Sequence, residues 1–126
     1  MSDYYLAEAK EKWGHTPAFR ESARRIKNYS KEDIAKANLE MEEATSQLLK
    51  AFQNNLSANS PQSIAAAEAH RLSISNWWYE CDYQMHKNLA DMYLADSRFT
   101  KNYEDRATGF AQYVHDAIYH NASSNE

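Results

Sequence analysis

Two glycines and two prolines in 126 residues set the first limit on what this chain can fold into. A β-sandwich or barrel reverses its backbone every few residues and needs far more residues that tolerate tight turns. Here Gly14, Pro17, Pro61 and Gly109 punctuate long tracts of Ala, Glu, Lys, Gln, Leu and Met, which favour helix. The expectation is an all-α fold. The chain is long enough to bury one continuous core, shows no internal repeat, and has no linker that would divide it into two domains.

The punctuation marks out five or six helices. Residues 2–13 carry a weak apolar stripe of Tyr5, Leu6, Ala9 and Trp13, which Gly14 ends. Thr16-Pro17 restarts a helix that runs to about Asn28. Ser30-Lys31-Glu32-Asp33 is an acidic capping box opening a long helix, in which Ile34, Met41 and Leu48 recur every seventh residue with Ala37, Ala44 and Ala51 between them. After a polar loop at 54–59, Ser60-Pro61 caps a helix with Ile64, Ala67, Leu72 and Ile74 that runs on into an aromatic stretch. There Trp78, Cys81, Met85, Leu89 and Met92 follow at spacings of three and four. Asp96-Ser97 caps a short segment with Phe99 and Tyr103. Ala107, Phe110, Ala111, Val114, Ala117 and Ile118 form the cleanest amphipathic pattern, and a frayed polar tail follows over 122–126.

A mean hydropathy of −0.86 and the lack of an apolar run near 18 residues exclude a membrane-spanning helix, and Met1-Ser2-Asp3 does not open a signal peptide. A single cysteine rules out an internal disulfide and points to a reducing, cytoplasmic setting. Net charge −4 makes the domain as a whole repel nucleic acid. The one basic cluster, Arg20, Arg24, Arg25 and Lys27, is interleaved with Glu21 and reads as a solvated, ion-paired face.

Chemistry concentrates in the run Ser75 to His86, which holds the lone Cys81 together with Trp77, Trp78, Tyr79 and Tyr83. Such density either builds the centre of the core or lines a pocket for a large aromatic ligand. If Trp77, Trp78 and Tyr79 are helical they point over about 200° and cannot all enter one core, so at least one faces a cavity. Cys81 lies on the apolar stripe, where a thiol behaves as a small hydrophobe. On a continuous helix His86 stands about 140° round from it, and Glu80 and Asp82 beside it raise the thiol pKa. Metal pairs such as Asp82 with His86 or Asp116 with His120 read as ordinary solvated-helix neighbours; His70, His86 and His115 read as hydrogen-bonded or surface histidines. No dinuclear-metal Glu-x-x-His pair, phosphate loop or nucleophile elbow occurs, so neither a metal nor an enzyme active site is expected.

Several runs together resemble the TipA-type antibiotic-recognition domain, the effector domain of a branch of MerR-family transcriptional activators. They are Trp13-Gly14-His15-Thr16, Glu21-Ser22-Ala23-Arg24-Arg25 and Tyr29-Ser30-Lys31-Glu32-Asp33, then His70-Arg71. Ile74-Ser75-x-Trp77-Trp78-Tyr79-x-Cys81-x-Tyr83-x-Met85-His86 follows, with Leu89 and Met92-Tyr93. Asp96-x-Arg98-Phe99-Thr100 with Tyr103, and Tyr113-Val114-x-Asp116-Ala117-Ile118, complete the set. The likeness spans about residues 8 to 120 in order.

The resemblance implies a single globin-like helical domain with a cleft for bulky macrocyclic or oligoaromatic antibiotics, thiopeptides above all. It implies a core over 31–121 and a mobile lid over 1–30, and it aligns Cys81 with a cysteine that adds covalently to a dehydroalanine of the drug. Trp13, Tyr29, His70, Ile74, Trp77, Trp78, Tyr79 and Met85 are the expected ligand-binding residues. No cofactor is implied. The partner is a small-molecule antibiotic, sensed for an activator or sequestered by a free-standing binder; DNA-binding and dimerisation segments are expected only in a longer parent chain. The second reading is a haem or tetrapyrrole carrier using His70 or His86, and the third an interaction module, for which no exposed motif speaks.

Overall fold

Helices start at residues 17, 31, 61 and 97, where proline, serine and aspartate in the sequence place them. The computed structural model describes residues 17–125; the expected helix at 2–13, Trp13, and the part of the lid before Pro17 lie outside the described residues. Helix α1 spans Pro17–Ile26, and α2 spans Lys31–Gln53. The capping box of α2 forms as read: the Asp33 amide donates to the Ser30 hydroxyl at 3.1 Å, and the Ser30 amide to the Asp33 carboxylate at 3.0 Å. Ala37, Ala44, Leu48 and Ala51 are buried, while Ile34 and Met41 pack at the core margin. Small residues on this face, and Ala66 and Ala67 on α3 (Pro61–Trp77), let the two helices run close together as the most extensively packed pair.

The sequence pattern suggested that α3 continues through the aromatic stretch, and here the structure differs. Helix α3 stops at Trp77, residues 78–82 form a non-helical connector, and α4 starts afresh at Tyr83 and runs to Ala95. Asp82 supplies the reason: its carboxylate accepts the Met85 amide at 2.8 Å, so it caps a new helix instead of continuing the old one. The spacing of three and four therefore describes one helix only from Met85 onward.

Asp96 caps α5 (Ser97–Glu104), which buries Phe99 and Tyr103 as expected. Gly109 then takes a left-handed φ of 88° and opens α6 (Phe110–Ser124). In place of a capping side chain on Gly109, the Glu104 carboxylate accepts the amides of Gly109 at 2.9 Å and Ala111 at 2.8 Å. Helix α6 outlasts the expected polar tail. Ala122, one turn beyond Ile118 on the buried stripe, is fully enclosed, and the neighbouring Asn121 donates to Glu68 across the core margin.

Helix α6 packs on both α3 and α4, so Leu48, Ile74, Trp78, Leu89, Phe110, Val114 and Ile118 close one core around it. The described residues contain no strand, and no helix among them is long and apolar enough to cross a membrane. Replacing Gly109 with Ala forces a side chain into the left-handed region and is expected to cost about 1–2 kcal/mol, read as a lower urea midpoint with unchanged slope.

Candidate functional site: an aromatic connector between two helices

A helix that ends inside a protein leaves carbonyls without amide partners. At the end of α3 side chains supply some of the donors. The Arg25 guanidinium donates to the Ser75 carbonyl at 2.7 Å, and the Tyr29 hydroxyl to the Trp77 carbonyl at 2.6 Å. Thus α1 and the turn after it dock on the negative end of α3. Within the connector the Cys81 amide donates to the Ser75 hydroxyl at 3.1 Å, and Arg71 donates to the Cys81 carbonyl at 2.8 Å.

Breaking the helix changes where the aromatic side chains go. Trp78 and Tyr79 both turn into the core from the connector. The Trp78 indole N–H has no hydrogen-bond partner among the described residues. Trp77 stays partly exposed: its indole donates to Glu40 at 2.5 Å, and its ring meets the edge of Tyr29 at 5.6 Å. Ile74 is fully buried below the connector, and Met85 packs at the core margin.

Cys81 is fully buried, and burial pushes its thiol up to about 12; Arg71 opposes this weakly, while Asp82 and Glu68 add to it. The thiol is protonated and shielded at neutral pH. Because Cys81 precedes α4, the helical angle to His86 does not apply; its sulfur instead lies 3.8 Å from the Asp82 carbonyl oxygen. Around it Glu68 gathers four donors: Arg71 through Nε at 3.0 Å and Nη2 at 2.6 Å, Asn121 at 3.0 Å and Tyr83 at 3.3 Å. The Arg71 guanidinium also lies over the Tyr83 ring at 4.3 Å. These donors, Arg71 first, hold the Glu68 carboxyl below its usual range.

His70 and His86 are buried and bonded to each other, Nδ1 to Nε2 at 2.9 Å, with ring centroids 5.2 Å apart. Either tautomer leaves one outer nitrogen as an unpaired donor and the other as an unpaired acceptor. Burial pushes His70 down to about 4 and His86 well below its ordinary value, with His70 and Arg71 adding to the latter. The two rings use their facing nitrogens on one another, which leaves no room between them for a metal or macrocycle. His115 bonds to Asp91 and Asp116 at the surface.

Of the expected site residues, the structure brings Tyr29, Ile74, Trp77, Trp78, Tyr79 and Cys81 to the end of α3 and the connector, with His70 and Met85 on the flanking helices. Sequence reading placed Arg25 on a solvated, ion-paired face and gave no role to Arg71, Glu68 or Glu40; Arg25 and Glu40 instead bond the last turn of α3, and Arg71, held by Glu68, bonds the connector. The i, i+3 pair of Glu68 and Arg71 was the available signal.

A model of the TipAS antibiotic-recognition domain matches residues 5–121, and the chain belongs to that family. It is 38% identical over 120 residues to the HTH-type transcriptional activator TipA of Streptomyces coelicolor and equally to that of Streptomyces lividans. The match takes in 95% of this chain and 47% of each relative, so the chain spans about half the length of the curated relatives it matches. Among solved structures it is similar to TipAS in complex with nosiheptide, from a thiopeptide antibiotic multidrug resistance system of Streptomyces lividans. Identity there is 37% and TM-score 0.86, covering 98% of this chain and 86% of that one, and the globin-like helical fold is shared. A second similar structure is the antibiotic binding domain of a TipA-class multidrug resistance transcriptional regulator. It is 36% identical with a TM-score of 0.65, over 71% of this chain and 95% of that one.

The buried histidines make stability pH-dependent. Unfolding raises their pKa to about 6.5, so the unfolded chain takes up protons that the folded one refuses, and stability falls as pH drops from about 6.5 toward 4. The loss approaches about 1.4 kcal/mol per pH unit for each histidine. Urea midpoints between pH 6.5 and 5 are expected to fall in the wild type and to flatten in the His70→Leu/His86→Leu double variant; equal slopes would show that the pair does not control this range.

Proposed function

We propose that this domain captures bulky thiopeptide-type antibiotics at the connector. The observation that carries the reading is the match to nosiheptide-bound TipAS over 98% of the chain, and the aromatic, cysteine-bearing connector at 78–82 supports it. Tyr29 and Trp77, at the rim, supply faces on which flat heteroaromatic rings stack, each contact worth on the order of 1 kcal/mol. Trp13, His70, Ile74, Trp78, Tyr79 and Met85 complete the proposed lining. The N-terminal segment, residues 1–30, acts as a lid over the bound drug. Its attachment through Arg25 and Tyr29 to the end of α3 supports this role.

Cys81 is the proposed covalent anchor. Its sulfur adds to the terminal carbon of a dehydroalanine, the alkene electron pair moves to the α-carbon, and that carbon takes a proton equivalent to the one the thiol lost. Nothing leaves, one drug is consumed per chain, and the protein acts by capture and not by turnover. In the cytoplasm the same capture serves either as the drug-sensing half of a longer HTH-type activator, whose other half contacts DNA, or as sequestration by a free-standing binder. Ligand mass action then stabilises the folded chain.

Intact-mass spectrometry after incubation with a thiopeptide panel tests the reading. The expected result is a single adduct equal to the drug mass, absent in Cys81→Ser, with quenching of tryptophan emission in both proteins as the drug binds. No binding by any thiopeptide would overturn the ligand class; an adduct that survives in Cys81→Ser would remove the anchor. Amide exchange through α1 is expected to slow once drug is bound, and exchange that is already slow and unchanged would remove the lid.

A further inference from the structure

We propose that Arg71 is a positioning residue that holds the connector shut over Cys81, so that release of its hydrogen bond to the Cys81 carbonyl governs when the thiol can react. The inference rests on Cys81 as the reactive group and adds the control of its exposure. Three observations carry it. The thiol is fully enclosed, so no electrophile of any size reaches it without movement of residues 78–82. Those residues belong to neither flanking helix, which makes them the part of the site able to move without unwinding one. Residues 78 and 79 are tied to the Ile74 carbonyl by their amides, but Cys81 is held by side chains, the Ser75 hydroxyl on its amide and the charged Arg71, with Nη1 on its carbonyl at 2.8 Å.

Arg71 is itself fixed. Glu68 takes its Nε and Nη2 in a two-point pair, Tyr83 lies under its guanidinium, and Glu68 is anchored in turn by Asn121 of α6. A planar fork suits this geometry because two edges of one guanidinium serve two partners at once; an ammonium does not reproduce it. The opposite role for Arg71, activation of the thiol by its positive charge, gives way to the effect of burial. The thiol remains pushed up to about 12 with Arg71 in place, so charge alone does not activate it. Opening returns the thiol to water, where its pKa is near 8.5, and outweighs the loss of one cation nearby. The two roles predict opposite signs.

The test is alkylation of the single cysteine by N-ethylmaleimide in the whole chain at pH 7.5, followed by intact mass. The reagent needs no antibiotic, so its outcome stands apart from whether thiopeptides bind. In the reaction the sulfur forms one bond to an alkene carbon, the neighbouring carbon takes a proton from water, and the thiol proton goes to solvent. Arg71→Met keeps the aliphatic stem and removes the donors; it is expected to speed alkylation about ten- to a hundredfold, the weight of a charge-assisted hydrogen bond. Arg71→Lys should fall between it and the wild type. Glu68→Gln, a milder change that loosens the pair while keeping its shape, should accelerate in the same direction and serves if Arg71→Met does not fold. In each case the rate at low urea should be nearly independent of urea, as local opening requires. Alkylation that is unchanged or slower in both Arg71→Met and Glu68→Gln overturns the proposal. So does acceleration that rises with urea as steeply as global unfolding.

Discussion

The carbonyls at the end of α3 have to find donors, and the site depends on where those donors come from. A helix continuing through the aromatic run would satisfy them internally and leave Trp77, Trp78 and Tyr79 splayed around its axis. Stopping at Trp77 instead hands Ser75, Trp77 and the connector to Arg25, Tyr29 and Arg71. Each of these donors comes from a different place: α1, the turn before α2, and α3 itself. The end of α3 is thereby the point where α1, α2 and the core meet.

The histidine pair sits on the two helices the connector joins, and burying it carries a cost. Two neutral rings sharing one hydrogen bond are tolerated in an apolar surround, but each also carries an outer nitrogen that water would otherwise satisfy. Packing has to outweigh that penalty. Tyr93 presses edge-on against His70 at 6.2 Å and meets Tyr103 at a tilt with ring centroids 5.1 Å apart, so the pair is braced by aromatic rings from α4 and α5. The same burial that keeps the rings neutral keeps the Cys81 thiol protonated, so one local property sets both.

Most helix boundaries were readable because they rest on short-range chemistry. Ser30 with Asp33, Ser60 with Pro61, and Asp96 each act within one turn, and each starts a helix where the sequence places it. The break at 78–82 was not readable from spacing, since Trp78, Cys81 and Met85 mimic a helical stripe and no glycine or proline marks the stop. The one local clue was Asp82, three residues ahead of Met85, an N-cap signal that the aromatic content masked. Ala122 was lost for the converse reason: polar neighbours hid a residue in register with Ile118. Pairing of His70 with His86 depends on how α3 and α4 are set across the break, which no periodicity encodes. The family motifs, by contrast, located the connector and its cysteine without any knowledge of its geometry.

The docking of α1 on main-chain carbonyls has an evolutionary consequence. A hydrogen bond to a carbonyl is indifferent to the side chain of the residue that bears it, so Arg25 and Tyr29 find the same acceptors whatever residue stands at 77. The polar part of this docking is therefore independent of the Trp77 side chain, which Tyr29 meets separately through its ring edge. Substitutions at 77 change the ring contact and leave the carbonyl acceptors in place. A scaffold built this way can vary the side chains at the end of α3 while α1 keeps the same main-chain acceptors.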